Sequence, residues 1–102
     1  MTSILPPIHP GEILLEEFLM PMKMSAGALA KALDVPRTRI ERLVAKKTAV
    51  TPDTALRLAK YFRSSPELWM NMQAGYDLKI EAMAKKAALA MIEPKPENLL
   101  AA

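Results

Sequence analysis

Apolar residues recur along the chain at spacings of three and four, which is the period of an amphipathic α-helix. Three sets in the central part each fall on one helical face: Leu29, Ala30 and Leu33; Ile40, Leu43 and Val44; Ala55, Leu58, Ala59 and Phe62. A fourth set runs through Leu68, Trp69, Met72, Tyr76 and Ile80. No segment predicts a strand, and no internal repeat is visible. The pattern therefore predicts an all-α fold.

Prolines and small polar residues divide this pattern into five helices. Each predicted start has a capping residue or a proline suited to the first turn, and the starts fall at Pro10, Ser25, Pro36 or Arg37, Thr51 and Ser65. The first helix should end before Pro21, the third near Ala45 and the fifth at about Met91, ahead of Pro94 and Pro96. We expect a flexible arm over residues 1–8, one helical domain over 9–92 and a flexible tail over 93–102.

The second and third helices, from Ser25 to Leu43, are short and joined by a tight turn, which is the pattern of a helix-turn-helix. The apolar residues of the third helix turn inward against the second. Thr38 and Arg42 then lie near the centre of the opposite face, flanked by Arg37 and Arg39. An exposed face with three arginines is suited to reading DNA.

Charge is distributed unevenly along the chain. The formal net charge of the whole chain is only +3, but residues 23–63 carry ten basic and three acidic side chains, a net of +7, and the remainder carries a net of −4. This division favours one side that faces a polyanion and another that carries carboxylates. The plain alternative is a solvated helical surface with no nucleic-acid partner, which explains most basic runs.

Composition excludes several classes of protein. The chain has no cysteine and a single histidine, His9, so we expect no disulfide, no metal site and no cofactor, and we read His9 as a residue that starts the first helix. Nothing in it assembles a catalytic nucleophile and base, so we do not expect an enzyme. No apolar stretch is long enough to span a bilayer and no export signal is visible, which predicts a cytoplasmic protein with no membrane partner.

The chain resembles the HigA family of antitoxins, within the lambda-repressor-like (Xre-type) helix-turn-helix class. Four segments carry the resemblance, in the expected order: residues 9–14 (HPGEIL), 16–19 (EEFL), 50–59 (VTPDTALRLA) and 65–78 (SPELWMNMQAGYDL). The resemblance implies a five-helix all-α domain that forms a homodimer. It also implies a protein that binds an operator in its own promoter and neutralises a small messenger-RNA-cleaving toxin encoded beside it.

The resemblance also assigns roles to positions. Base-reading sites fall on Arg37, Thr38 and Arg42, with Arg39 on the same face. Contacts with the DNA backbone fall on Ser25 and Ala26, before and at the start of the second helix, and on Lys46, Lys47 and Thr48 after the third. The residue types suit these roles, because arginine can bind guanine through two hydrogen bonds while helix amino ends and lysines suit phosphates.

Three positions depart from the family pattern. Asp34 replaces the turn glycine, Pro36 stands where a serine or threonine cap is usual, and Ala45-Lys46-Lys47 replaces an Asn-Gly-basic loop. Aspartate tolerates a left-handed backbone better than most residues. At Pro36 the third helix should lack a side-chain cap.

Alternatives remain at this point. The protein is either an antitoxin, a stand-alone Xre-type repressor without a toxin partner, or a protein-interaction module whose basic face is incidental. For the homodimer we expect the fifth helix to contribute, through Trp69, Met72 and Tyr76. For the toxin we favour the first helix with the N-terminal arm, and the candidate carboxylates are Glu12, Glu16 and Glu17, or else Asp77, Glu81, Glu93 and Glu97. Gly75 marks either a close helix approach or a kink.

Overall fold

The computed structural model describes residues 6–96, and every regular element in that range is helical. A first helix, α1, spans Pro10–Ile13 and continues as a π-helix over Leu14–Leu19. The remaining helices are α2 (Ala26–Leu33), α3 (Arg37–Val44), α4 (Pro52–Phe62), α5 (Pro66–Ala84) and α6 (Lys86–Ala90). The predicted all-α fold with a helix-turn-helix, formed by α2 and α3, is confirmed.

Serine and threonine side chains begin three of the helices, as the sequence predicts. Ser25 accepts from the Ala28 N–H at 3.0 Å, Thr51 from the Thr54 N–H at 3.3 Å and Ser65 from the Leu68 N–H at 3.1 Å. His9 does the same for α1, because its Nδ1 accepts from the Gly11 N–H at 2.9 Å. These bonds satisfy N–H groups that have no partner inside a helix.

Left-handed residues end four of the helical segments. Lys23, Asp34, Lys46 and Arg63 have φ between 53° and 64°, and no glycine in the described range has a positive φ. After α2, the Val35 N–H donates to the Ala30 carbonyl at 3.0 Å and the Asp34 N–H to the Lys31 carbonyl at 3.2 Å, which is a Schellman motif. The turn of the helix-turn-helix thus uses Asp34 where the family pattern has glycine.

Trp69 lies at the centre of the core. Its ring is fully buried, its centroid is 5.2 Å from that of Phe18, and its Nε1 donates to the Ser64 hydroxyl at 3.1 Å. Leucine and isoleucine side chains from α1 to α4 complete the core, namely Leu14, Leu19, Leu29, Ile40, Leu43 and Leu58. The prediction of Trp69 as a dimer contact is therefore wrong, since the indole has no surface left for a second chain.

The predicted fifth helix is interrupted. It ends at Ala84, Lys85 leaves the helical conformation with φ −111° and ψ 19°, and α6 follows. Every described residue from 80 onward is exposed, so no tertiary packing holds this stretch in one continuous helix. Residues 1–5 of the predicted arm and 97–102 of the predicted tail, including Glu97, lie outside the described residues.

Candidate nucleic-acid interface

The exposed face of α3 carries the side chains that the sequence analysis placed there. Ile40 and Leu43 are buried against the rest of the domain. The side chains on the opposite face are all exposed: Arg37, Thr38, Arg39, Glu41 and Arg42. Because α2 packs along the inner face of α3, the fold presents this face to the outside.

The start of α3 lies against the start of α2. Pro36 begins α3 without any side-chain cap, as predicted. The guanidinium of Arg37 lies over Gly27, since a Cβ built at Gly27 would stand 2.9 Å from the Arg37 Nε. Ser25 is exposed and Ala26 half-buried in the same first turn of α2. Two helix amino ends and one guanidinium are thus brought together, an arrangement suited to an anion.

Arg39 is paired with a carboxylate from another helix. Its guanidinium donates to the carboxylate of Asp53, at the start of α4, which also accepts from the Arg57 Nε at 3.0 Å. Arg57 in turn donates to the Leu33 carbonyl, at the end of α2, at 2.8 Å. The hydrogen bond from Arg39 is the main reason that the pKa of Asp53 is lowered. Arg39 therefore connects α3 to α4, and its charge is matched before any DNA is present.

The sequence pattern does not indicate this connection between α3 and α4. Asp53 and Arg57 are four residues apart on α4, a spacing that predicts an ion pair on one helix face. Nothing in the spacing indicates that Arg39, fourteen residues before Asp53, joins the same carboxylate.

The loop after α3 is closed by a second Schellman motif. Lys46 has φ 64°, its N–H donates to the Leu43 carbonyl at 3.0 Å, and the Lys47 N–H donates to the Arg42 carbonyl at 2.9 Å. The Lys46 ammonium lies 3.5 Å from a carboxylate oxygen of Glu12. Lys47 and Thr48 are exposed, and among the described residues Lys47 takes part in no ion pair. Lys46 connects the loop to α1, and the Lys47 ammonium remains exposed.

The beginning of α1 contacts both the end of α3 and this loop. The carbonyl of Leu43 lies so close to Gly11 that a Cβ there would overlap it. His9 is buried and hydrogen-bonds the backbone of Thr48. Since its Nδ1 accepts from Gly11, the other ring nitrogen carries the proton and donates to Thr48. Burial lowers the pKa of His9, against the raising effect of the Thr48 bond. The reading of His9 as a residue that starts a helix is confirmed.

An amide from α5 holds the far end of the same loop. The Oε1 of Gln73 accepts from the Val50 N–H at 2.8 Å, and its Nε2 donates to Asp77 at 3.0 Å. Gln73 is buried, although it lies on a helix whose sequence pattern predicts an apolar inner face. Neither this residue nor the role of Gly11 is predicted by the sequence pattern.

Residues 15–69 match the helix-turn-helix family. A solved structure of the antitoxin HigA of Pseudomonas aeruginosa, with the higBA promoter, superposes with a TM-score of 0.86; it is 41% identical, over 88% of this chain and 99% of that one. The chain belongs to the HigA family of helix-turn-helix proteins.

Two curated relatives are also similar to this chain. Antitoxin HigA-1 of Vibrio cholerae is 38% identical over 71% of this chain and 68% of its own length. Virulence-associated protein I of Dichelobacter nodosus is 52% identical over 81% of this chain and 77% of its own. The helix-turn-helix family match covers residues 15–69, so it leaves out Gly11 and most of α5. The match to the P. aeruginosa HigA structure covers 88% of this chain and therefore extends beyond that range.

Residues 6–96 were the part of the chain in which a metal-binding cluster and a membrane-spanning helix could be assessed, and neither is present there. Within that range no group of three or more histidine, aspartate or glutamate side chains is arranged to hold a metal ion. None of the helices described there is long and apolar enough to cross a membrane.

Proposed function

We propose that this HigA-family protein binds operator DNA in its own promoter as a homodimer, and that it neutralises a messenger-RNA-cleaving toxin encoded beside it. The observation that carries the DNA half of the proposal is the exposed face of α3, which carries Thr38 and Arg42, together with the contact between the amino ends of α2 and α3 at Gly27 and Arg37. The P. aeruginosa HigA structure, which includes the higBA promoter, supports DNA binding by a chain of this fold.

Different residues serve different contacts in this proposal. Arg37, Thr38 and Arg42 reach base edges in the major groove. The amino end of α2, at Ser25 and Ala26, and the loop residues Lys47 and Thr48 bind phosphates. Lys46 and Arg39 act mainly as positioning residues, because Glu12 and Asp53 already pair with them.

We expect a homodimer because the surface that one copy of α3 offers to DNA is small. One eight-residue helix reads few base pairs, and a two-fold dimer doubles the contacts on an inverted repeat. The end of α5, α6 and the two residues after α6 offer an apolar surface for the dimer: Leu78, Met83, Leu89, Met91 and Ile92 are each more than half exposed. A helical stretch without packing of its own gains most from a second copy.

The toxin half rests on family membership and on the carboxylates of the first helix. Glu16 and Glu17 are exposed and form no ion pair with any described residue, whereas Glu12 pairs with Lys46. Glu81, on α5, is paired with Lys85. A protein that cleaves RNA is expected to be basic, so the free carboxylates are the more suitable contact.

The test uses two partners. Fluorescence titration with the DNA fragment upstream of its own gene should give binding at least about 1000-fold tighter than with a scrambled fragment of equal length. Co-expression with the adjoining open reading frame should rescue growth from its toxicity. Equal affinity for both fragments would overturn the operator proposal. Operator binding without any toxic neighbour would instead favour a stand-alone repressor.

A further inference from the structure

One of the three arginines on the exposed face of α3 is already paired with a carboxylate. Arg37 and Arg42 form no ion pair with any described residue, whereas the Arg39 guanidinium donates to the carboxylate of Asp53. The Asp53 side chain is itself about half exposed, so a negative charge lies at the surface next to the proposed DNA-binding face. Such a charge repels phosphates, and its presence there calls for a reason.

A second arginine holds Asp53 in place. The Arg57 Nε lies 3.2 Å and 3.0 Å from the two carboxylate oxygens of Asp53. The Nη1 of Arg57 donates to the Leu33 carbonyl at 2.8 Å, at the carboxyl end of α2, where the partial negative charge of the helix offsets part of the Arg57 charge. The Asp53 carboxylate is thus left to match Arg39, and the hydrogen bond from Arg39 is the largest cause of its lowered pKa.

The bond between Arg39 and Asp53 has two consequences for a complex with DNA. It aligns α3 with α4 and with the end of α2, and contacts with base edges tolerate little misalignment. It also directs the Arg39 charge toward Asp53, although an unpaired arginine at this position would bind a phosphate in DNA of any sequence. The alignment favours the operator alone, whereas the loss of a phosphate contact weakens binding to all DNA.

We propose that Asp53 is a specificity-determining residue, which favours operator DNA over other DNA by holding Arg39 in place and away from phosphates. The inference rests on the proposed operator binding and deepens it. On the operator, correct alignment of Thr38 and Arg42 compensates for the phosphate contact that Arg39 does not make. On unrelated DNA there are no base contacts to align, so only the missing phosphate contact counts. Asp53 therefore raises the ratio of the two affinities.

Asp53→Asn tests the proposal, because it keeps the size of the side chain and one acceptor oxygen but removes the charge. We expect its affinity for a scrambled DNA fragment in about 0.1 M salt to rise roughly five- to tenfold. The slope of log affinity against log salt should steepen by about 0.9, which corresponds to one added phosphate contact. Affinity for the fragment upstream of its own gene should change less than about threefold, since the added contact and the lost alignment oppose each other.

Glu67→Gln is the matched control. Glu67 is the acidic residue in the first turn of α5, as Asp53 is in α4, and it is exposed and forms no ion pair with any described residue. Its replacement removes the same charge from a helix amino end but releases no arginine. We expect the salt slope of Glu67→Gln to equal that of the wild type.

A second variant tests the same idea from the arginine side. Arg39→Gln in the wild-type background should leave the salt slope on the scrambled fragment unchanged, because a guanidinium held by Asp53 contacts no phosphate. Lys47→Ala should reduce that slope by about 1. In the Asp53→Asn background, Arg39→Gln should return the steeper slope to the wild-type value.

The outcomes separate the role of Asp53 from operator binding itself. If Asp53→Asn weakens binding to both fragments with an unchanged slope, Asp53 only supports the fold, and the inference is overturned while operator binding stands. If Asp53→Asn and Glu67→Gln raise affinity for the scrambled fragment equally, net charge is the cause and the inference falls as well. If Arg39→Gln alone reduces the slope by about 0.9, Arg39 already contacts a phosphate and Asp53 does not withhold it. If the wild type binds both fragments equally, the operator proposal falls together with this inference.

Discussion

Gly11 and Leu43 are in direct backbone contact. A Cβ added to Gly11 would stand 2.7 Å from the carbonyl carbon of Leu43 and closer still to its oxygen. Leu43 lies near the end of α3, one residue after Arg42, so the first turn of α1 sets how far the recognition helix can approach the body of the domain. The glycine of the HPGE segment is needed for space and not for an unusual φ, since no glycine among residues 6–96 has a positive φ.

Gly11→Ala should therefore be destabilising. Because the neighbour is backbone and not a flexible side chain, α1 or α3 has to shift, and overpacking of this kind costs about 1 to 3 kcal/mol of unfolding free energy. Urea denaturation measures the loss, and operator affinity should fall as well. The matched control for stability alone is Gly27→Ala, where the added methyl meets only the guanidinium of Arg37. Equal stability of the Gly11→Ala variant and the wild type would contradict the contact.

Much of the fold follows from local sequence signals. The caps at Ser25, Thr51 and Ser65 act within three residues, so the sequence predicts them, and the apolar period separates Ile40 and Leu43 from the exposed face of α3. Asp34 was also predictable as a left-handed turn residue, because aspartate tolerates that conformation. These predictions depend on neighbours in the chain and need no knowledge of tertiary contacts.

The remainder depends on residues far apart in the chain. Arg39 lies fourteen residues from Asp53, and Gln73 lies 23 residues from Val50. No periodicity joins such pairs. The prediction of Trp69 as a dimer contact is wrong for a related reason. An apolar stripe shows that a helix face is covered, but not whether the same domain or a second chain covers it. No proline or glycine beside Lys85 predicts the helix break there. The break follows from the lack of packing around α6.

The buried cap at His9 should make stability depend on pH. Burial lowers its pKa in the folded protein below the ordinary value of 6.5. The unfolded chain therefore binds more protons between the two values, and stability falls as the pH drops through 6.5 toward the folded-state pKa. Asp77 and Glu12 oppose this shift, and Lys46 adds to it. We expect the free energy of unfolding to be lower at pH 5.5 than at pH 7.5 in urea titrations.

His9→Asn provides the control for that measurement. Asparagine is a good helix cap and does not titrate, so the variant should keep most of the α1 start while the difference between pH 5.5 and 7.5 becomes smaller. An unchanged pH dependence in His9→Asn would assign the effect to other groups.

Left-handed residues offer a route to a more stable protein. Lys23 has φ 53° and is exposed, a conformation that costs a non-glycine residue roughly 1 to 2 kcal/mol. Lys23→Gly removes this strain but adds freedom to the unfolded chain, so we expect a net gain of about 0.5 to 1 kcal/mol. The control is Lys31→Gly inside α2, which should lose about 0.5 to 1 kcal/mol. Thermal unfolding that moves both variants in the same direction would contradict the argument.

Three of the positive side chains of the interface, Arg42, Lys47 and Arg39, should behave differently on DNA. Arg42→Ala removes an exposed side chain in the centre of the α3 face and should cost about 1 to 3 kcal/mol while relaxing the preference at one base pair. Lys47→Ala should weaken binding to all sequences about equally and reduce the salt slope by about 1. Arg39→Ala breaks the connection to Asp53, so it should lower the melting temperature of the free protein as well as its affinity.

Titrations of operator variants at several salt concentrations, alongside melting curves, separate these cases. If Arg42→Ala lost affinity without any change in base preference, Arg42 would contact phosphate and not a base. If Arg39→Ala melted like the wild type yet lost preference at one base pair, Arg39 would leave Asp53 in the complex and read the operator itself. The bond between Arg39 and Asp53 makes that second result the less expected one, because the Asp53 carboxylate would then lose one of its two arginine partners.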